Sequence, residues 1–301
     1  MVRELDGGRV QLEVQEVRRL VDEQFPQWRD LSLAPVEVPG WDNQTFRLGD
    51  AMSVRLPSGG AYAAQVRKEH IWLPRLAPQL PLPIPTPIAI GAPAHGFPWE
   101  WSVYGWLPGA PATRERIEDL GAFAEDVARF LRALRAVDAT DGPVAGPHNF
   151  HRGGALDVYD DETRRAVRAL GDRIDARSAL AVWERALAEP YAAAPVWVHG
   201  DVAANNVLVR GGRLSAVLDF GTCGVGDPAC DLVLTWTFLR GTARDRFRER
   251  VDVDPDTWAR ARGWALWKAL ITVARGATAP AAEHPPLGVL RTLLSIDATA
   301  E

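Results

Sequence analysis

The hydrophobic pattern of the chain changes at Pro108-Gly109, and this change limits the folds that it can adopt. After that point, apolar residues recur every three or four positions, as in 117–134, which is typical of amphipathic helices. Before it, short runs rich in β-forming residues are separated by turn residues: 33–38, 45–48, 52–56, 86–90 and 99–107. The sequence therefore predicts an α+β fold with an N-terminal antiparallel sheet lobe, residues 1–106, and a mainly helical C-terminal lobe, residues 107–301.

Two helices are expected within the strand-rich half. Val10, Val14, Val17 and Val21 recur at helical spacing and predict an amphipathic helix near the beginning. A second helix is predicted over residues 61–76, with Pro74 close to its end. The alternating prolines that follow, at positions 81, 83, 85 and 87, must be extended. We favour a rigid connector over a ligand for a polyproline-binding domain.

Composition excludes several classes of protein. The 301 residues carry a net charge of −5, which argues against the basic surface of a nucleic-acid-binding protein. Neither an apolar signal segment after Met1 nor an uncharged apolar stretch long enough to cross a membrane is seen in the sequence. Two cysteines, Cys223 and Cys230, make a disulfide framework improbable. From these features we expect a soluble cytoplasmic protein without nucleic-acid or membrane partners.

A small β-hairpin is predicted inside the helical half, and polar residues flank it in a fixed order. Residues His199 to Asn206 fit the pattern H-x-D-x-x-x-x-N, and Asp219-Phe220-Gly221 follows the second strand. This is the spacing of a kinase catalytic loop and of its metal-binding DFG sequence. Such a loop directs Asp201 towards an acceptor hydroxyl, and the hairpin returns Asp219 beside Asn206. An amide oxygen and a carboxylate at that place can share Mg²⁺.

Together with residues 226–232, Gly-Asp-Pro-Ala-Cys-Asp-Leu, this set resembles the signature of aminoglycoside phosphotransferases and their choline-kinase-like relatives. The resemblance implies a bilobal, protein-kinase-like fold. It implies that Asp201 is the catalytic base or the group that orients the hydroxyl, and that Asn206 and Asp219 are the Mg²⁺ ligands. His199 belongs to the same catalytic set, where it holds the loop through hydrogen bonds rather than reacting. Asp227 and Asp231 are interpreted as architectural, with Asp231 opening a helix.

The predicted nucleotide-binding lobe departs from the family pattern. It has no G-x-G-x-x-G and no Walker A sequence; residues 40–44, including Asn43, lie where a loop covering the phosphates is expected. Arg55 stands in the third strand, where the family usually has lysine, and neither of the two lysines of the chain can replace it. Arg55 can bind phosphates and pair with Glu69 of the following helix. The alternative is an ordinary exposed strand arginine.

Residues 104–107 resemble the hinge whose backbone binds the purine. The carbonyl of Gly105 and the amide of Leu107 are the predicted contacts, and an ordinary strand end is the alternative. A bulky aromatic residue such as Tyr104 before the hinge disfavours adenine in some relatives. We therefore expect GTP to be used at least as well as ATP.

Two further groups of polar residues remain open to more than one interpretation. The carboxylates of Asp157, Asp160, Asp161 and Glu162 suggest a site for a polycationic drug, but a helix N-terminus explains them more simply. Residues 151–152, His-Arg, are interpreted as surface or as the wall of a cleft.

The sequence as a whole predicts a phosphotransferase that moves the γ-phosphoryl group of ATP or GTP to a hydroxyl of a small molecule, such as an aminoglycoside or a macrolide. Only about ten residues separate Asp219 from Asp231, too few for the activation segment with which protein kinases dock polypeptides. A metabolic kinase for an amino alcohol, a sugar or a hydroxy amino acid is the alternative within enzymes. A nucleotide-binding pseudokinase is the alternative from another class.

Overall fold

The computed structural model describes residues 3–5, 9–37 and 40–295. The chain divides into two compact units, Met1–Pro78 with Pro83–Leu107, and Gln79–Leu82 with Pro108–Glu301. The first unit is built on an antiparallel sheet and the second is mainly helical. The predicted α+β fold class is therefore confirmed. No helix in the described part of the chain is long and apolar enough to cross a membrane.

The first unit contains a five-stranded antiparallel sheet with the order β3-β4-β5-β7-β6, a separate pair β1-β2, and two helices. The strands are β1 Arg3–Leu5, β2 Arg9–Gln11, β3 Leu33–Pro35, β4 Asn43–Leu48, β5 Met52–Pro57, β6 Pro87–Gly91 and β7 Trp101–Gly105, and the helices are α1 Val14–Gln24 and α2 Gly60–Leu76.

The core of this unit lies between α1 and the sheet. Val17, Leu20 and Val21 are spaced three and four residues apart, and they pack with buried strand residues such as Phe46 and Val54. The predicted first helix starts later than expected, because the Glu16 carboxylate accepts the backbone N–H of Glu13 (2.8 Å) and fixes the helix start there. Val10 consequently belongs to β2. The predicted strand 33–38 ends at Pro35, and its last residue, Val38, lies outside the described residues.

The second unit contains seven helices and five short strands among its described residues. The strands are β8 Ala110–Pro111, β9 Val196–Val198, β10 Val207–Arg210, β11 Arg213–Val217 and β12 Gly224–Gly226. The helices are α3 Leu120–Ala136, α4 Asp160–Leu170, α5 Ala176–Ala188, α6 Leu234–Thr237, α7 Thr242–Val251, α8 Pro255–Ala274 and α9 Pro286–Ser295. The predicted hairpin is β10-β11, and β9 pairs with β12.

Side-chain caps fix where the helices around the hairpin begin. Asp119 accepts N–H bonds from the first turn of α3, and Asp175 does the same for α5. Asp254 caps α8, and Pro255 occupies its first position, where no N–H is needed. As a result α8 runs without interruption through the buried residues Trp264 and Trp267, as expected for packing tryptophans.

Candidate active site

The loop between β9 and β10 is anchored by one buried carboxylate. Asp231 accepts the backbone N–H of His199 (2.8 Å) and that of Gly200 (2.6 Å). Gly200 has φ +88°, and a Cβ atom there would lie 2.6 Å from the carbonyl oxygen of Thr222. The sharp bend before Asp201 therefore requires glycine.

His199 is completely buried, and both of its ring nitrogens are used. Nε2 lies 2.8 Å from the carbonyl oxygen of Leu218, which can only accept, so Nε2 carries the proton. Nδ1 is then the acceptor for the backbone N–H of Asp201 (3.2 Å). The ring thus ties the loop to the residue that precedes Asp219, an arrangement that suits a positioning residue better than a reacting one.

Asp201 lies between a cation and an amide. Its Oδ1 is 3.4 Å from Nζ of Lys268, and its Oδ2 accepts a hydrogen bond from Nδ2 of Asn206 (3.1 Å). Burial raises the pKa of Asp201, but the nearby charges of Lys268 and Arg152 outweigh this effect and hold the pKa below its usual value. Because its side chain is still 39% exposed, the ionised carboxylate remains accessible to a ligand.

Hairpin pairing brings Asn206 and Asp219 to the same end of β10-β11. The carbonyl oxygen of Asn206 accepts the N–H of Leu218 (2.7 Å), directly before Asp219. Nδ2 of Asn206 donates to the carbonyl oxygen of Asp201 (2.9 Å), and its Oδ1 accepts Nδ2 of Asn205 (3.2 Å), which leaves one further lone pair of Oδ1 for a metal. Asp219 adopts a left-handed conformation (φ 63°, ψ 67°), which is unusual for a residue with a side chain.

The donor set at this place suits Mg²⁺. The described residues contain no group of three His, Cys, Asp or Glu side chains that would form a metal cage. Magnesium, however, is usually bound by one or two carboxylates together with phosphates and water, and it prefers hard oxygen ligands. One carboxylate and one amide oxygen fit that mode of binding.

Lys268 and Glu283 are site residues that sequence reasoning missed. Burial lowers the pKa of Lys268, but the carboxylates of Asp201 and Glu283 outweigh it and the pKa is raised. Glu283 is buried and accepts the N–H of Ala204 in the same loop (3.3 Å). A signal was present, since Lys268 is one of only two lysines in an arginine-rich chain and lies one helical turn after Trp264.

Asp227 has an architectural position, in agreement with its interpretation. Its Oδ2 accepts Nε of Arg260 (2.7 Å), its Oδ1 accepts the N–H of Ala229 (3.0 Å), and only 5% of its side chain is exposed. Burial raises the pKa of Asp227 despite the contact with Arg260. The expectation that Asp231 opens a helix is wrong: Asp227 caps the 3-10 turn Pro228–Leu232, and Asp231 lies inside it, where its side chain turns back to the loop.

In the first unit the structure brings Arg55 and Glu69 together. Nη1 of Arg55 lies 3.7 Å from Oε1 of Glu69, and the two side chains are 14% and 5% exposed. The hydroxyl of Tyr104 donates to the other oxygen of Glu69. Burial and the Glu69 charge raise the pKa of Tyr104 well above its usual value, so this hydroxyl stays protonated. The alternative of an ordinary exposed strand arginine is therefore wrong.

The remaining predicted nucleotide contacts are backbone positions of the sheet unit. Asn43 is the first residue of β4, where it is buried and paired with Pro57, rather than a loop residue as expected. Gly105 ends β7, and its N–H donates to the carbonyl oxygen of Thr86 (2.9 Å). Leu107 follows this strand and is partly buried.

Two other groups behave as simple structural residues. Cys223 and Cys230 are buried and form no disulfide among the described residues, and burial raises the pKa of the Cys230 thiol well above its usual value, which disfavours a reactive thiolate. Asp160, Asp161 and Glu162 form the first turn of α4, as the helix N-terminus interpretation predicts.

Comparison with known proteins identifies the family. The model of the phosphotransferase enzyme family matches residues 35–264, which is more than half of the chain, and the chain therefore belongs to this family. It is similar to an aminoglycoside 3'-phosphotransferase from Escherichia coli, with 28% identity over 154 residues. That match covers 46% of this chain and 52% of the relative, so it spans only about half of the length of the relative.

Solved structures share the fold at lower identity. The GDP and kanamycin complex of APH(2")-IIia is 18% identical, with a TM-score of 0.69 over 86% of this chain and 91% of that one. The apoenzyme of macrolide 2'-phosphotransferase MphH from Brachybacterium faecium is 22% identical, with a TM-score of 0.60 over 92% and 98% of the two chains. At this identity the likeness establishes the fold.

Proposed function

We propose that the protein transfers the γ-phosphoryl group of a purine nucleoside triphosphate, ATP or GTP, to a hydroxyl of a small molecule. The observation that carries this proposal is the loop 199–206. Asp231 and His199 hold the loop, and it presents an ionised Asp201 in direct contact with Asn206 at the hairpin end where Asp219 returns.

Asp201 is the group that accepts the proton of the attacking hydroxyl. A base works only when it is ionised, and the cations beside Asp201 favour that state at neutral pH. Asn206 donates to one carboxylate oxygen of Asp201 and Lys268 contacts the other, so the carboxylate has a defined direction while 39% of the side chain stays exposed to an acceptor. His199 acts as a positioning residue through Leu218 and the Asp201 backbone.

Asn206 and Asp219 are the residues that would hold Mg²⁺. When bound there, the ion would neutralise negative charge on the phosphates of the donor. Arg55 is assigned to the phosphates as well. Its guanidinium lies 3.7 Å from Glu69 on a strand of the sheet unit, and a guanidinium can bind phosphates in a bidentate way. The nucleotide base is assigned to the backbone of Gly105 and Leu107.

The relatives suggest antibiotics as the first acceptors to test. One similar structure contains GDP and kanamycin, and another is a macrolide 2'-phosphotransferase. GTP should be compared with ATP as donor. A metabolic acceptor and a pseudokinase remain the alternatives, and the presence of Asp201, Asn206 and Asp219 together favours an enzyme over the pseudokinase.

Replacing the proposed metal ligand tests the function. Asp219→Ala should abolish phosphoryl transfer and acceptor-independent nucleotide hydrolysis, because the phosphate charge loses its counter-ion. The assay follows release of labelled phosphate from ATP and GTP with Mg²⁺, alone and with kanamycin, a macrolide or an amino alcohol as acceptor. Circular dichroism checks the fold of the variant. Near-normal turnover by folded Asp219→Ala would remove Asp219 from the site, and absence of any wild-type turnover would favour the pseudokinase.

A further inference from the structure

Arg152 places an unpaired positive charge beside the candidate active site. Its Nε and Nη1 are shielded from solvent and have no hydrogen-bond partner among the described residues. Its guanidinium carbon lies 5.1 Å and 4.8 Å from the ring centroids of Trp264 and Trp267. Shielded donors without acceptors cost free energy, so this arrangement is suited to a ligand that brings the missing acceptors.

The backbone around Arg152 is held in an unusual conformation. Phe150 and His151 both have positive φ, 51° and 55°, although neither is glycine. Asn149 stabilises the turn, because its Nδ2 donates to the carbonyl oxygen of Arg152 (2.9 Å) and its own carbonyl accepts the Arg152 N–H (3.1 Å). Consecutive left-handed residues persist only where the surrounding contacts impose them, which is common at ligand sites. The turn fixes the position of Arg152.

Arg152 and Lys268 both lie against the start of the catalytic loop. A Cβ atom on Gly200 would come within 3.0 Å of Cβ of Arg152, so the two residues are in contact. Lys268 contacts Oδ1 of Asp201, whereas the other carboxylate oxygen contacts Asn206 at the end of the loop. Lys268 therefore adjoins the oxygen of Asp201 that does not contact the proposed metal ligand, and Arg152 packs against the residue directly before Asp201.

The carboxylates near these cations are already engaged. Glu162 accepts Nε1 of Trp267 (2.8 Å) and Nη2 of Arg275 (2.6 Å). Glu283 accepts the N–H of Ala204, and burial raises its pKa although Lys268 opposes the shift. Lys268 offsets the negative charge of Asp201, and Arg152 adds a further positive charge, so this part of the site favours an acidic acceptor over a polycationic one.

We propose that the acceptor of this enzyme carries an acidic group, a carboxylate or a phosphate, which Arg152 and Lys268 bind while the hydroxyl to be phosphorylated lies at Asp201. The proposal rests on the proposed phosphotransferase function and narrows its substrate class to acidic hydroxyl compounds rather than polycations. Trp264 and Trp267 both contact the Arg152 guanidinium, and these cation–π contacts restrict its position.

The test compares hydroxy acids with their amides, which have nearly the same shape but no charge, and includes one polycation. Full-length protein with Mg²⁺ and the preferred nucleotide is offered glycerate and glyceramide, shikimate and shikimamide, and kanamycin as the polycation. We expect transfer to at least one acid, with kcat/KM about 10- to 100-fold above that of its amide, which is the usual effect of losing a charge-assisted hydrogen bond. Kanamycin is expected to be a poorer acceptor than the best acid.

Variants then assign the preference to Arg152. Arg152→Gln should reduce the acid-to-amide ratio by about 10-fold or more, and Arg152→Lys should restore part of it. Arg213→Met is the matched control: it removes one positive charge from the same unit at a side chain that is 62% exposed and bound to Asp126, and it should leave the ratio unchanged.

Three results would overturn the inference. In the first, the wild-type enzyme hydrolyses nucleotide but phosphorylates no acid better than its amide. In the second, the wild-type enzyme prefers kanamycin to every acid. In the third, the Arg152→Gln variant loses nucleotide affinity but keeps the acid-to-amide ratio of kcat/KM. The last result would assign Arg152 to the donor phosphates. If the wild type neither binds nor hydrolyses nucleotide, the proposed function itself has failed, and calorimetry with Mg²⁺ and nucleotide distinguishes this case.

Discussion

The buried pair of Arg260 and Asp227 allows a stability prediction that separates architecture from catalysis. Arg260 donates Nε (2.7 Å) and Nη2 (3.5 Å) to Asp227, and it also donates to the carbonyl oxygen of Glu189 (3.0 Å) and to the hydroxyl of Thr257 (2.8 Å). Arg260→Met keeps most of the volume but removes every one of these donors. Asp227 would then be an uncompensated buried carboxylate, with the N–H of Ala229 as its remaining partner. We expect a loss of about 3–5 kcal/mol in the free energy of unfolding.

The measurement is urea unfolding followed by tryptophan fluorescence, at several pH values. Burial raises the pKa of Asp227 above its unfolded value, and removal of Arg260 raises it further. Folding therefore favours the protonated carboxyl of Asp227. The free-energy cost of burying the ionised carboxylate is full above its folded-state pKa, and it disappears as the pH falls below its unfolded-state pKa. The cost of Arg260→Met should be smaller at acidic pH than at neutral pH, and adding Asp227→Asn should recover part of it.

An exposed ion pair between α5 and α8 serves as the matched control. Arg185 binds Asp256 of α8 at 2.6 Å, but these side chains are 39% and 46% exposed. Arg185→Met should cost about 0–1 kcal/mol, as exposed ion pairs usually do. Equal costs for the two methionine variants, or a cost of Arg260→Met that does not change with pH, would refute the reasoning.

Two further predictions concern the catalytic loop. Lys268→Met should move the acidic limb of the pH–rate profile for acceptor-independent nucleotide hydrolysis to higher pH, because Lys268 helps to hold the pKa of Asp201 down; an unmoved limb would exclude Asp201 as the titrating base. Gly200→Ala should destabilise the protein by about 1–3 kcal/mol in thermal unfolding and also reduce hydrolysis, because the new Cβ strains a positive φ and meets Thr222. Gly211→Ala, at φ +57° with open space around it, should show the strain without the loss of rate.

The sequence predicted those parts of the site that depend on local spacing. The distance from Asp201 to Asn206 along the loop, and the return of Asp219 by a hairpin, follow from a pattern of twenty or so residues. The pairing of Arg55 with Glu69 could be predicted from the sequence because the two residues lie on a strand and on the helix that follows it. The roles assigned to both residues came from the family pattern.

Contacts that depend on packing over long separations could not be predicted in this way. Lys268 contacts Asp201 from α8, and Arg152 contacts Gly200 from a strained turn. The hydrophobic periodicity of the sequence predicts neither contact. The strands β8 and β12 have two and three residues, which is too short for alternation to appear. The capping role of Asp227 could have been predicted, because an aspartate before proline is a common way to begin a helical turn. The prediction that Asp231 begins the turn was wrong because it did not use this signal.

The central claim is that Asp201 serves chemistry rather than binding or loop structure, and Asp201→Asn tests it most directly. Nucleotide affinity, measured by calorimetry with Mg²⁺, should stay near the wild-type value, because other residues are assigned to the phosphates and the metal. Single-turnover transfer of the labelled γ-phosphoryl group, to an acceptor or to water, should fall by about 10²–10⁴-fold, since an amide cannot accept the proton of the attacking hydroxyl. Transfer at a rate close to that of the wild type, in a variant that binds nucleotide normally, would contradict the phosphotransferase mechanism proposed for this loop.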